Sequence, residues 1–244
     1  MSLANALVTH RDRILADLDA AHDYYVNSIY SWRFLLKAIT NGRRVRIQNK
    51  RTRNTTTQVE LPDLIKSYVK DNLASSTYQQ FVSLFEDFLF GLMRLWLQAY
   101  PHSLAKKQLP VSAVLEATDL ESLKLVAVNR EVNELNYRKL REWFAYLDGL
   151  AKLGCPSLDV IDRLAEIKAA RDVHVHNRGI ANTVYVEKSG ALRRCQVGER
   201  LPLPEAYHYE SWELIRKVVA DVSSSAISKA AIVSPTVPLP EVDE

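Results

Sequence analysis

The sequence predicts an all-α protein, an up-and-down bundle of long helices with a small β-hairpin before the last helix. Only 7 Gly and 9 Pro occur among 244 residues, which favours long uninterrupted helices. Apolar residues recur every three or four positions through most of the chain, as on one face of a helix. The exception is 183–203, where apolar and polar residues alternate around Ser189-Gly190, a pattern typical of a hairpin.

Composition and charge exclude several classes of protein. The net charge of +3 is too small to assign nucleic-acid binding from charge alone. Cys155 and Cys195 stand in no metal or redox spacing, which favours a reducing compartment and no disulfide. We see no signal peptide, and the most apolar window carries charges and is short for a bilayer span. We therefore expect a cytoplasmic protein with no membrane partner.

The first segment, about 3–40, predicts a long helix that ends at Asn41-Gly42. A basic insert follows at 43–60, because six basic residues lie between Arg43 and Arg53 and no acid precedes Glu60. Alternation around Val45 favours a short hairpin there, and a mobile loop fits equally well.

The next segment predicts a helix over about 61–73 and then a strongly apolar helix to about 99. Ser75 or Ser76 would cap the second helix, and Pro101 would end it. Its apolar face is wide enough for a central position in the bundle. That face comprises Phe81, Leu84, Phe85, Phe88, Leu89, Leu92 and Trp96.

Pro110 opens a short helix, and Thr118 or Asp119 starts a longer one that runs to about 153 with a break near Asn129. Ser157 caps the following helix, which ends near 179, and the last helix covers about 205–231. The tail at 234–244 is acidic and rich in proline, so we expect disorder. No linker separates the helices, which favours a single helical domain over 1–233.

The stretch RDVHVHNRGIAN, residues 171–182, interrupts the packing pattern of its helix. Val160, Leu164 and Ile167 form an apolar seam, and continuing the seam leads to Arg171 and then His174. A charge on a packed face costs free energy unless it is paired or wetted, so Arg171 marks a candidate cleft or subunit interface. The plain alternative is a solvated helix end, where basic residues favour the negative end of the dipole.

Two histidines compete for a role beside Arg171. Asp172 and His176 lie at i and i+4, so the carboxylate can orient the imidazole. His176 lies about 140° around an ideal helix from Arg171, whereas His174 continues the seam. A metal site is the weaker reading, because two histidines two apart diverge on a helix and no further ligand has suitable spacing.

These residues resemble a known family. Arg171-Asp172-x-x-x-His176 matches the Arg, polar, then His pattern of HEPN domains, helical bundles that include many metal-independent ribonucleases. HNRGIAN, VGERLPLPEAY and FVSLFEDFLFGL are similar to segments of the RiboL-PSP-HEPN-like branch, where Glu86 is the matching acidic position. The resemblance covers about 75–230 and, more loosely, the first helix. It implies a HEPN-like bundle.

The resemblance also implies a mechanism. Arg171 would hold the scissile phosphate, and His176 would be general base or acid for attack by the ribose 2′-OH, giving a 2′,3′-cyclic phosphate. Asp172 would orient His176 or hold the opposite motif. A homodimer would bring two motifs together, and no metal or cofactor would be needed. Supporting positions are Glu86, His174 and Asn177.

For these positions and the insert, plainer interpretations remain open. Glu86 can be a surface carboxylate paired with a base, His174 a packing residue and Asn177 a helix cap. The insert can be a solvated loop or a sequence-blind contact to the RNA backbone. Its contact residues would be Arg43, Arg44, Arg46, Lys50, Arg51 and Arg53.

Three functional hypotheses follow. The first is a HEPN-type endoribonuclease of a toxin–antitoxin or phage-defence system, with RNA as substrate and an antitoxin or other regulatory protein as a possible partner. The second is a non-catalytic HEPN-like module that binds RNA, a nucleotide or a protein. The third is a purely structural dimerisation unit.

Overall fold

Helices account for nearly all the regular structure in the computed structural model, which describes residues 2–48, 55–57 and 59–232. The all-α prediction is confirmed for these residues. No helix among them is long and apolar enough to cross a bilayer. The α-helices are α1 (Leu3–Thr40), α2 (Leu61–Ser67), α3 (Ala74–Ala99), α4 (Val111–Glu116), α5 (Leu120–Asn136), α6 (Leu140–Ala151), α7 (Leu158–His176), α8 (Thr183–Ser189) and α9 (Glu205–Ile232).

The described residues divide into two compact units. The first takes 2–13, 88–161 and 218–232. Its core has an aromatic centre, where Phe90 meets Trp143 edge to face with ring centroids 4.7 Å apart. Gly91 lets the His10 ring lie directly on α3, because a Cβ at this position would collide with that ring. The prediction of one domain over 1–233 stays a prediction.

The second unit takes 14–48, 55–57, 59–87 and 162–217 of the described residues. Its core combines α1 side chains such as Ile14 and Leu18 with Phe81 and Phe85 of α3 and with Leu164 of α7, all nearly inaccessible to solvent. Burial of this aliphatic and aromatic surface is the main force that holds the helices together.

The helix entering α3 differs from the prediction. Serines 75 and 76 do not cap it, because α2, a π-helical segment at Tyr68–Leu73 and α3 follow each other without a break. Ser76 Oγ instead donates to the Leu73 carbonyl, 3.1 Å away. Leu73 and Ala74 are buried, so packing sustains the helix through these serines.

The long helix predicted over about 118–153 begins at the expected cap and breaks later than expected. Asp119 accepts from the Ser122 amide at 2.7 Å, and Ser122 Oγ accepts from the Asp119 amide, which completes a capping box. The break lies at 137–139 rather than near Asn129, which stays inside α5.

The hairpin predicted for 183–203 is wrong, because residues 183–189 form α8. Asn182 caps this helix by accepting from the Tyr185 amide at 2.9 Å. Tyr185 and Ser189, four residues apart, are both buried, so the segment packs with helical rather than two-residue spacing. Gly190, at φ +53°, ends the helix instead of forming a hairpin turn.

Two other predicted features fall partly or wholly outside the described residues. In the basic insert, Gln48 and Thr55 form an antiparallel bridge, which favours the hairpin interpretation at its base. Arg43, Arg44 and Arg46 are exposed there. The predicted RNA contacts Lys50, Arg51 and Arg53 and the acidic tail at 234–244 lie outside the described residues.

Candidate functional site

Helix α7 carries the predicted motif and presents it at its carboxyl end. The Ser157 backbone carbonyl accepts from the Ile161 amide at 3.0 Å, and the helix begins at Leu158, directly after the predicted cap residue. Leu164 and Ile167 are buried on the predicted seam, and Arg171 follows on the same face with a side chain 15% exposed. The seam therefore does bury most of a guanidinium.

Glu86 of α3 meets that guanidinium. Arg171 Nη2 donates to Glu86 Oε2, and Lys168 Nζ lies 2.8 Å from Glu86 Oε1. Both carboxylate oxygens are engaged and the side chain is 20% exposed. The structure thus joins two residues that are 85 positions apart. Glu86 forms ion pairs with basic side chains, as its plainer interpretation expected.

Asp172 joins the same group of charges. Its carboxylate lies 3.1 Å from Arg171 Nη1, 3.6 Å from Lys168 Nζ and 3.7 Å from Lys188 Nζ. We call Glu86, Lys168, Arg171, Asp172 and Lys188 the arginine network. Three cations face two carboxylates, so the arginine network keeps one net positive charge and suits an anionic ligand.

One donor of the arginine network stays unused. Arg171 Nε is buried and has no hydrogen-bond partner among the described residues. A buried N–H without an acceptor is costly, by about 1–3 kcal/mol. Because the atom itself is buried, a ligand oxygen would reach this donor only if the guanidinium moved.

His174 faces a different neighbourhood from Arg171. Its ring lies under Gly179, where a Cβ would come within 3.3 Å, and it hydrogen-bonds the Leu201 backbone. Burial and, to a smaller extent, the positive charges of Arg194 and Arg200 lower the pKa of His174 to about 4. His174 is therefore neutral at physiological pH and fits the packing role.

His176, the histidine that the family spacing selects, is exposed at the last position of α7. Within the described part of the chain, its imidazole forms no hydrogen bond, ion pair or ring contact. Asp172 pairs with cations rather than with this imidazole. The structure therefore does not bring Arg171 and His176 together within one chain, and the catalytic roles stay predictions.

The turn after α7 accounts for the structural role of the Asn177 side chain. Its Nδ2 donates to the Ile180 carbonyl at 2.5 Å, and the amides of Asn177 and Gly179 both bond the Val173 carbonyl. Gly179 has φ +77°, the left-handed conformation that ends many helices. Asn177 is thus a helix-end residue, in line with its predicted capping role.

A second cluster on α7 escaped the sequence analysis. Glu166 is 4% exposed, and its carboxylate accepts from Tyr207 at 2.5 Å and from Tyr185 at 2.9 Å. Arg194 Nε lies 3.1 Å from the same carboxylate, and its guanidinium sits 3.5 Å above the Tyr207 ring. We call Glu166, Tyr185, Arg194 and Tyr207 the glutamate cluster. A carboxylate amid the buried positions of α7 was the available signal.

Tyr78 extends the glutamate cluster to α3. Its hydroxyl donates to the Ile167 carbonyl at 2.9 Å and lies 3.0 Å from the Tyr207 hydroxyl. Burial raises the pKa of Tyr78 and Tyr207 well above the usual range, and the carboxylate of Glu166 adds to the effect. Both phenols therefore stay protonated and act as hydrogen-bond donors.

The described residues hold no group of three or more His, Cys, Asp or Glu side chains that are arranged to bind a metal ion. Comparison of the whole chain with family models, with curated proteins and with solved structures gives no match.

Proposed function

We propose that the protein is a metal-independent endoribonuclease of the HEPN type that acts as a homodimer. The arginine network carries the proposal, because it holds Arg171 in a fixed, mostly buried position within an excess of positive charge. A guanidinium held in this way can bind a phosphate oxygen and stabilise the charge that develops in phosphoryl transfer.

The proposed reaction is attack by a ribose 2′-OH on the adjacent phosphorus. A histidine, His176, takes the proton from the 2′-OH as the new P–O bond forms. The bond to the 5′ oxygen then breaks, that oxygen takes a proton from water, and His176 returns its proton to the solvent. The products are a 2′,3′-cyclic phosphate and a 5′-hydroxyl end.

A second subunit supplies what one chain lacks. Arg171 faces α3, whereas His176 is exposed at the helix end and its imidazole has no hydrogen-bond or ion-pair partner among the described residues. An exposed histidine of one subunit can approach the arginine network of another. The substrate in this proposal is RNA, with Arg43, Arg44 and Arg46 as exposed cations for its backbone. An antitoxin-like protein is the proposed class of regulator.

The test is cleavage of a single-stranded RNA in the presence of EDTA. We expect cleavage with 2′,3′-cyclic phosphate ends in mass spectrometry. Arg171→Ala and His176→Ala should each lower the rate by about 100-fold or more. His102→Ala is the matched control, because His102 is also exposed and unpaired among the described residues, and it should cleave at the wild-type rate.

Circular dichroism keeps these comparisons valid by showing that each variant is folded. Arg171→Lys separates charge from geometry, since lysine keeps the charge and loses the planar fork. Cleavage that needs a divalent metal, or full activity of both alanine variants, would contradict the proposal. If the wild-type protein sedimented as a monomer at assay concentrations, this result would contradict a catalytic site shared between two subunits.

A non-catalytic RNA-binding module is the second candidate. The observation that favours it is the pairing of Asp172 with Lys168 and Lys188, which leaves His176 with no group to orient it. This function predicts RNA binding that persists in His176→Ala and cleavage by neither protein. Binding measured by fluorescence anisotropy, beside the cleavage assay, separates the two functions.

A further inference from the structure

A cavity of about 230 Å³ opens beside the glutamate cluster. Helix α7 contributes Arg163 and Ile167 to its wall, the segment after α8 contributes Leu192 and Arg194, and α9 contributes Glu210. Ligand pockets for drug-sized molecules span about 300–1,000 Å³. The cavity is therefore the right size for one small, compact group rather than for an extended ligand.

The glutamate cluster forms part of the cavity wall. Tyr207, Glu166 and Arg194 all line the cavity, and the guanidinium carbon of Arg194 lies 3.5 Å from the centre of the Tyr207 ring. Glu166 fixes the orientation of Arg194 by accepting from its Nε. Arg194 Nη2 is buried and has no acceptor among the described residues, so one donor in this wall is unsatisfied.

The rim of the cavity carries two unpaired charges of opposite sign. Arg163 and Glu210 are both exposed and both line the cavity. In the described part of the chain, they form no ion pair with each other or with another side chain. Opposite charges that share a cavity without pairing leave room for a ligand with an acceptor edge on one side and a donor edge on the other.

Guanine has this combination of edges. Its O6 and N7 accept hydrogen bonds, typically from a forked arginine, and its amino group donates. Unpaired bases of RNA are commonly held by hydrogen bonds to their edges and by stacking on aromatic rings or arginine planes. Adenine lacks O6, so it offers Arg163 one acceptor fewer, and a pyrimidine fills less of the cavity.

We infer that this cavity binds one unpaired guanine base of RNA, with Arg163 at its acceptor edge, Glu210 at its donor edge and Arg194 as the planar support. The inference rests on the proposed function in taking RNA as the ligand, and it adds a base preference. Ile167 of the cavity lies one helical turn before Arg171, about 6 Å along α7. A base in the cavity would thus place a neighbouring phosphate near the arginine network.

The experiment measures binding without cleavage. The probes are fluorescent 2′-O-methyl hexanucleotides of uridine with G, A or C at one central position, because the methyl group removes the attacking hydroxyl. Fluorescence anisotropy should show wild-type protein binding the G probe about tenfold more tightly than the A or C probe. Arg163→Gln and Glu210→Gln should lose most of this preference while they remain folded.

Glu213→Gln is the matched control, since Glu213 is an exposed, unpaired carboxylate on the same helix and does not line the cavity. It should keep the wild-type preference. Equal binding of the three probes by wild-type protein, binding of none, or an unchanged preference in both rim variants would overturn the inference. If the inference failed, RNA cleavage that depends on Arg171 could still support the proposed ribonuclease function. Conversely, a preference for the G probe without any RNA cleavage would support the cavity site and contradict the ribonuclease function.

Discussion

Helix α7 carries two charged clusters that use the same kinds of side chain in opposite ways. The glutamate cluster buries its carboxylate at 4% exposure and surrounds it with two phenols and a guanidinium. The arginine network leaves Glu86 and Asp172 20–25% exposed and has more cations than carboxylates. Between Glu166 and Arg171 there are only four residues of one helix.

The difference in burial and charge balance between the two clusters distinguishes a structural ion pair from an anion-binding group of charges. A buried carboxylate with every oxygen occupied leaves little capacity for a ligand of its own, because its neighbours already satisfy it. A partly open group of charges with an excess of one sign can exchange an internal partner for an external anion. Stability should therefore depend on Glu166, and phosphate binding on Arg171.

The largest effect on stability should come from Glu166→Ala. Removing this carboxylate leaves Arg194 and two buried phenols without their acceptor, at a cost of about 3–5 kcal/mol. Urea unfolding followed by circular dichroism measures the change in the free energy of unfolding. Glu213→Ala, at an exposed carboxylate, should change it by less than about 0.5 kcal/mol. A loss below about 1 kcal/mol in Glu166→Ala would erase the distinction between the clusters.

A second effect concerns pH and the buried His208. Burial, with a smaller contribution from the neighbouring His22, lowers the pKa of His208 to about 3, whereas the unfolded chain takes up this proton near pH 6.5. The contribution of His208 is therefore fully present above about pH 6.5 and falls as the pH drops toward 3. Between pH 7 and pH 5 we expect a loss of about 2 kcal/mol from this residue.

His208→Gln tests this expectation. Glutamine keeps a polar atom within reach of Thr77, which lies 2.8 Å from His208 Nε2, and it does not titrate. The measured quantity is the difference between the free energies of unfolding at pH 7 and pH 5. That difference should become smaller in the variant, whatever its stability at pH 7. An unchanged difference would show that His208 is not the titrating group.

Arg171→Ala should have an intermediate effect on stability. Its pairs with Glu86 and Asp172 are partly open to solvent, which screens them, so we expect a loss of about 1–2 kcal/mol. The same urea titration measures it, and 0.5 M NaCl should shrink the difference from wild type. A loss as large as that of Glu166→Ala would mean that the arginine network is structural rather than a ligand site.

The smallest effect should come from Lys188→Ala. Lys188 is 45% exposed, and its Nζ lies 3.7 Å from Asp172. Exposed pairs of this kind contribute less than about 1 kcal/mol, so the midpoint of urea unfolding should barely move. The RNA affinity should fall more clearly, because the arginine network then has no net positive charge. An unchanged RNA affinity of Lys188→Ala would show that Lys188 does not contribute to RNA binding.

The sequence predicted the helices that have strong local signals. The ends of α1 and α9, the cap at Asp119 and the start of α7 after Ser157 follow from residues within one turn of each helix end. Arg171 was also recognisable, because it continues a seam of buried residues. The ion-pair partner of Arg171 could not be predicted from local residue spacing, because Glu86 is 85 residues away in the sequence.

The errors come from segments whose local pattern fits two structures. The alternation in 183–189 fits a strand, yet Tyr185 is anchored through its hydroxyl to Glu166, and that contact selects the helix. The serines at 75 and 76 resemble a cap, and tertiary packing overrides them. The glutamate cluster joins residues as far apart as 41 positions, so no local window contains it.

The π-helical segment at Tyr68–Leu73 has a consequence for the placement of Glu86. A π turn accommodates one more residue than an α turn, so it rotates the following helix about its own axis without ending it. Leu61 and Ile65 before the segment and Tyr78 and Phe85 after it are all buried, so the chain packs into the core on both sides of it. The segment thus sets the rotation of α3 about its own axis relative to α2. Deleting one residue from the segment would turn Glu86 away from Arg171 while both helices kept their full length.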